Sequence, residues 1–153
     1  MVFIIQGSVK DTLFSKEIIK LLDKFLIGNK LITLSAHKTP EQLLIFLNKI
    51  NSRREPVVII CVAGRSNALG GIVDANTHFP VINCPPYSEK FAGLDILSSL
   101  RMPGGVAAST VIEPGAAAVA AAKILSLSDN DLAGKIRKYQ QNLKEEIIKS
   151  NKT

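Results

Sequence analysis

The chain has no tryptophan, two tyrosines, two cysteines and two histidines. Aromatic residues fill 5% of its 153 positions, which leaves little from which to build a platform of bases stacked on rings. Cys61 and Cys84 sit inside apolar runs without the paired spacing of a metal knuckle. They read as buried thiols rather than a zinc site or a structural disulfide, and no metal is expected. No apolar run approaches the roughly 20 residues of a membrane-spanning helix. The opening MVFII is too short for the apolar core of a secretion signal and has no basic region before it, so cytoplasmic residence is the expectation.

What is present is aliphatic. Hydrophobic residues make up 46% of the chain, enough for one substantial core, and one domain over 1–153 is expected. Nineteen Lys and Arg against thirteen Asp and Glu give a formal charge of +6. That field favours anionic partners. Apart from Arg53-Arg54 and the lysine-rich end the basic residues are dispersed, with no aromatic-basic alternation to suggest a nucleic-acid platform, and a small phosphorylated ligand fits the charge equally well; neither a nucleic-acid nor a membrane partner is expected.

Apolar runs alternate with helical periodicity. VFIIQ at 2–6 predicts a strand, followed by a helix presenting Phe14, Ile18, Leu21, Leu22 and Phe25 on one face. KLITL predicts a second strand and PEQLLIFLNKI a second helix; 56–62 and 79–84 predict two more strands, with a short helix between them. A helix over 90–101 is expected, weakened by Gly93, then a strand at 106–111 and an alanine-rich helix at 116–125. Five such alternations imply an α/β fold: an open parallel sheet covered on both faces, with the loops after the strands gathered at one edge. From about 129 to 149, Leu132, Ile136, Tyr139, Leu143 and Ile147 recur every three or four residues. This C-terminal helix packs either on its own domain or on a neighbouring subunit.

Three post-strand loops carry the polar chemistry. In GSVKD, Gly7 eases a turn, Ser8 can donate to a phosphate, and Asp11 either accepts from ribose hydroxyls or caps the next helix. In SAHKTP, Ser35 can hold the loop, His37 can take and return a proton, and Lys38 can meet an anion or stay in solvent. In AGRSNALGG, Gly64 permits close approach, Arg65 can satisfy an anion, and Ser66 and Asn67 supply short hydrogen bonds. Each loop alone has a structural reading. His78, before Phe79-Pro80, has no polar cluster and reads as a surface or structural residue.

Taken together, GSVKD, SAHKTP, AGRSNALGG, NCPP and GLDILSSLRMPGG resemble the PurE family of purine biosynthesis, over nearly the whole chain. The resemblance implies a flavodoxin-like three-layer sandwich that binds aminoimidazole ribonucleotides. It further implies one of two activities. A direct carboxylase adds carbon dioxide to ring carbon 4 of 5-aminoimidazole ribonucleotide, and a mutase moves a carboxylate there from the exocyclic nitrogen of N-carboxyaminoimidazole ribonucleotide. SAHKTP is similar to the direct-carboxylase branch, where lysine commonly follows the histidine. The mutase branch more often has SAHRTP and a loop with a second histidine, which AGRSNALGG lacks.

The resemblance also implies His37 as proton-transfer residue, with Ser8, Asp11, Ser35, Lys38, Gly64, Arg65, Ser66 and Asn67 binding substrate. No cofactor is required, and the substrates would be the ribonucleotide and carbon dioxide. Assembly as a homo-oligomer, commonly an octamer, is implied through core helices and the C-terminal helix. One departure stands out: the family's first loop is often GSxSD, and Lys10 occupies the second serine's place.

Overall fold

A computed structural model describes residues 1–151. Five parallel strands, β1 (Val2–Gln6), β2 (Asn29–Thr33), β3 (Val58–Val62), β4 (Val81–Asn83) and β5 (Ser109–Thr110), form one sheet in the order β2-β1-β3-β4-β5. This is the doubly wound flavodoxin-like order, whose chain reversal between β1 and β3 opens a crevice at the strands' C-terminal ends. The helices are α1 (Thr12–Lys24), α2 (Pro40–Asn51), α3 (Ala68–Ala75), α4 (Leu97–Leu100), α5 (Pro114–Leu125) and α6 (Asn130–Ser150). No described helix is long and apolar enough to cross a membrane.

The continuous apolar runs of β1 and β3 follow from burial on both faces. Val2, Ile4, Val58, Ile60 and Val62 pack with Ile18 and Leu22 of α1 and the alanines of α5. Phe3, Ile5, Ile59 and Cys61 pack with Leu43 and Leu47 of α2 and Leu69 and Val73 of α3. Ala117, Ala118, Ala121 and Ala122 are fully buried, and their small side chains let α5 lie close on the sheet beside α1. Both thiols are free and buried, and burial pushes each well above its usual pKa, Cys84 to about 12. Neither has a reactive thiolate to offer.

Two elements depart from the sequence expectation. Over 90–101 there is no single helix. One 3-10 turn at Glu89–Phe91 ends in Ala92 and Gly93, with φ of 47° and 75°, and a second at Leu94–Ile96 runs into the single turn of α4. Two successive left-handed residues break an α-helix. The strand expected at 106–111 shrinks to Ser109–Thr110, because the Ala107 amide donates to Asp74 Oδ2 at 2.7 Å instead of joining the ladder. The C-terminal stripe divides: Leu132 and Ile136 are buried and Tyr139 stacks edge-on to Phe25 at 5.3 Å, whereas Leu143 and Ile147 are exposed.

Candidate functional site

The three polar loops meet at the C-terminal edge of β1, β2 and β3. They line a cleft of about 290 Å³ whose walls include Ser8, Lys10 and Asp11, then Ser35, His37 and Lys38, then Gly64, Arg65 and Ser66. A wider cavity of about 560 Å³ near Gly28, Glu55 and Asp131 contains no histidine. His78, the other histidine, precedes β4 and therefore lies at the opposite sheet edge, stacked on Phe79 at 4.1 Å.

Each wall is fixed by its own short-range bonds. In the first loop, Ser8 Oγ accepts from the Lys10 amide at 3.2 Å, and Thr12 Oγ1 donates to the Val9 carbonyl at 2.7 Å. In the second, Thr39 closes the turn on Ser35: its amide donates to the Ser35 carbonyl and its hydroxyl accepts from the Ser35 amide, both at 2.9 Å. Ser35 Oγ accepts from the Lys38 amide at 3.2 Å. Pro40 then occupies the first position of α2, where its missing N–H costs nothing. The closed turn turns His37 and Lys38 outward, and both are exposed on the cleft wall.

Gln6 links these two walls. Its Nε2 donates to Thr12 Oγ1 at 2.9 Å and to Thr33 Oγ1 at 2.8 Å, so one buried side chain at the end of β1 ties the first loop to the end of β2. A glutamine ending an apolar strand was the available sequence signal, and polarity at a fully apolar strand's last residue is what marked it.

The third wall is strained. Arg65 has a φ of 60°, a left-handed conformation that costs a residue with a side chain on the order of 1–3 kcal/mol unless its surroundings hold it. Asn67, expected to face substrate, is instead buried and structural. Its Oδ1 accepts from the Gly70 amide at 3.0 Å, capping α3, and its Nδ2 donates to Ser99 Oγ at 2.9 Å. Asn at a helix N-cap is one of the preferred choices, and that reading absorbs the residue. The other eight candidate residues all line the cleft.

Lys10, Lys38 and Arg65 place three cationic groups around the cleft against the single carboxylate of Asp11. Such a balance suits a phosphorylated or carboxylated ligand. Burial raises the Asp11 pKa above the ordinary carboxylate value, and a hydrogen bond from the Ser8 backbone partly opposes it. A proton acceptor at His37, hydroxyls at Ser8, Ser35 and Ser66, and this cationic rim together equip the cleft to hold an anionic substrate while a proton is moved.

The family model described as AIR carboxylase matches residues 1–146. A phosphoribosylaminoimidazole carboxylase of Archaeoglobus fulgidus is 49% identical over 148 residues, spanning 97% of this chain and 81% of that protein. A probable multifunctional protein ADE2 of Caenorhabditis elegans is 42% identical over 99% of this chain, which corresponds to 36% of the worm protein's length. The crystal structure of Treponema denticola PurE superposes with a TM-score of 0.97 at 40% identity, covering 99% of this chain and 96% of that one.

Proposed function

Because the chain belongs to the AIR carboxylase family of purine biosynthesis, we propose that it carboxylates 5-aminoimidazole ribonucleotide directly with carbon dioxide, reversibly and without a cofactor. The observation that carries this reading is the cleft itself. It holds one histidine, His37, beside Lys38, and faces a glycine-serine-arginine loop that has no second histidine. The names of the Archaeoglobus and Treponema relatives, both phosphoribosylaminoimidazole carboxylases, support the carboxylation chemistry common to the family, and the choice of the direct route rests on the cleft.

The amino group makes ring carbon 4 electron-rich, and that carbon attacks carbon dioxide. A carbon–carbon bond forms, the electron pair of one C=O bond moves to oxygen, and carbon 4 becomes tetrahedral while keeping its proton. His37 removes that proton, the C–H electrons restore the aromatic ring, and the carboxylate product remains. In reverse, His37 returns the proton before carbon dioxide leaves. Ser8 and Asp11 hold the ribose phosphate end, Ser35 and Lys38 hold the ring and its anionic substituent, and Gly64, Arg65 and Ser66 form the facing wall. Asn67 acts by fixing that wall from behind. The active form is a homo-oligomer, with exposed Leu143 and Ile147 on α6 available for contacts between copies. Residence in the cytoplasm accords with this pathway.

The deciding experiment supplies carbon-labelled bicarbonate with the ribonucleotide and no ATP. Label should enter 4-carboxy-5-aminoimidazole ribonucleotide from the free pool. Conversion of N-carboxyaminoimidazole ribonucleotide faster than it spontaneously loses carbon dioxide, with no label entering, would instead establish the mutase.

Asp11 allows a second test. Its raised pKa means that the folded chain keeps this proton to higher pH than the unfolded chain does. Its contribution to stability therefore declines as pH rises through that window and stays lower above it. Asp11→Asn removes this burden, so at neutral pH the variant should unfold at or above the wild-type temperature, the difference closing in acid. Its affinity for the ribonucleotide should fall all the same. Thermal unfolding across pH, paired with ligand titration, checks both; a variant clearly less stable at neutral pH would show the carboxylate supporting the fold.

A further inference from the structure

Arg65 is held from behind by a segment far away in sequence. Its amide donates to Asp95 Oδ2 at 2.7 Å, and its carbonyl accepts from Ser98 Oγ at 2.8 Å. The same hydroxyl accepts from the Asn67 amide at 3.0 Å. Both polar groups of one left-handed residue are thus taken by the segment that the two left-handed residues Ala92 and Gly93 lead into. The Arg65 side chain is exposed, so its own packing does not hold the backbone in place.

We propose that Asp95 and Ser98 are positioning residues: they hold Arg65 in its left-handed conformation and thereby set where the cleft's third wall presents its guanidinium and amides to the anionic part of the substrate. This rests on the cleft's assignment as the ribonucleotide site. Asp95 lies behind the loop and does not line the cleft, so it acts through Arg65. A carboxylate acceptor gives a stronger hold on an amide than a neutral oxygen does. Without it, Arg65 relaxes toward ordinary backbone angles and the wall changes shape while the fold persists. An interaction of this kind, made equally with bound substrate and transition state, appears in KM more than in kcat.

The test compares Asp95→Ala, Asp95→Asn and Ser98→Ala with the wild type, with the ribonucleotide varied at saturating bicarbonate. Asp95→Ala should raise KM about tenfold and change kcat less than about threefold. Asp95→Asn keeps an acceptor oxygen and should return KM to within about threefold of wild type. Ser98→Ala, which releases the Arg65 carbonyl and the Asn67 amide but leaves the Arg65 amide on Asp95, should give an intermediate KM and serves if Asp95→Ala fails to fold. Amide hydrogen exchange at Arg65, slow in the wild type, should accelerate at least about tenfold in Asp95→Ala. A folded Asp95→Ala whose melting temperature falls while KM stays the same would overturn the proposal, as would an Arg65 amide already unprotected in the wild type. If the wild type carboxylates nothing, the reaction assignment has failed instead. Exchange at Arg65 and the affinity for inorganic phosphate, expected to drop about tenfold in Asp95→Ala, then decide the positioning role alone.

Discussion

Replacing His37 with asparagine should lower kcat for carboxylation about a thousandfold, within the range that a positioned acid–base group supplies, and leave ribonucleotide affinity within about threefold. The two effects separate because of how the side chain is placed. His37 is exposed on the cleft wall, and among the described residues no hydrogen bond ties its imidazole to the protein. The turn carrying it is closed by Ser35 and Thr39, whose bonds survive the substitution. Asparagine keeps a polar group of similar reach but cannot take a proton from carbon 4. Carbon dioxide can still be attacked in the variant, yet the tetrahedral intermediate collapses backwards because nothing restores the aromatic ring. Single-turnover rates with matched ligand titrations and circular dichroism check this. A kcat within tenfold of wild type, in a folded variant, would assign the proton transfer to another group.

The sequence made some of this site readable and left other parts hidden, for physical reasons. β1 and β3 are buried on both faces, so their apolar runs are unbroken and the loops after them could be located by where the runs stop. GSVKD and AGRSN follow such stops directly, SAHKTP follows the partly buried edge strand β2, and the parallel topology brings the three together. Asn67 misled because an asparagine in a polar loop has the same appearance whether it meets substrate or caps a helix; only the acceptor geometry to Gly70 separates the two. Over 90–101 the sequence suggests a helix that only Gly93 weakens, but Ala92 also takes a left-handed angle that alanine rarely adopts. Asp95 and Ser98 stayed invisible for a related reason. Their partner is a backbone amide and a carbonyl about thirty residues earlier, and backbone groups leave no mark in the sequence.

Gly70→Ala should destabilise the fold by about 3 kcal/mol, the upper end of overpacking costs, and lower Tm by about 6–12 °C. A methyl group at Gly70 would sit 1.7 Å from Asn83 Oδ1 and 2.7 Å from its Cγ, about half an ordinary contact in the first case. Neither partner has room to retreat. Asn83 is fully buried in β4, paired with Cys61 on one side and Thr110 on the other, and Gly70 lies in the first turn of α3. The helix must lift from the sheet. Because the Asn67 side chain caps α3 through the Gly70 amide, lifting Gly70 also disturbs the loop that carries Arg65 and Ser66. Activity should therefore fall even well below the variant's Tm. The cause can be isolated with a second substitution. Asn83→Ala removes the opposing carboxamide, so Gly70→Ala/Asn83→Ala should be more stable than Gly70→Ala alone, with a coupling of about 1 kcal/mol or more between neighbours in contact. Additive losses in urea unfolding would mean that the methyl group is accommodated elsewhere and that α3 does not rest on Asn83.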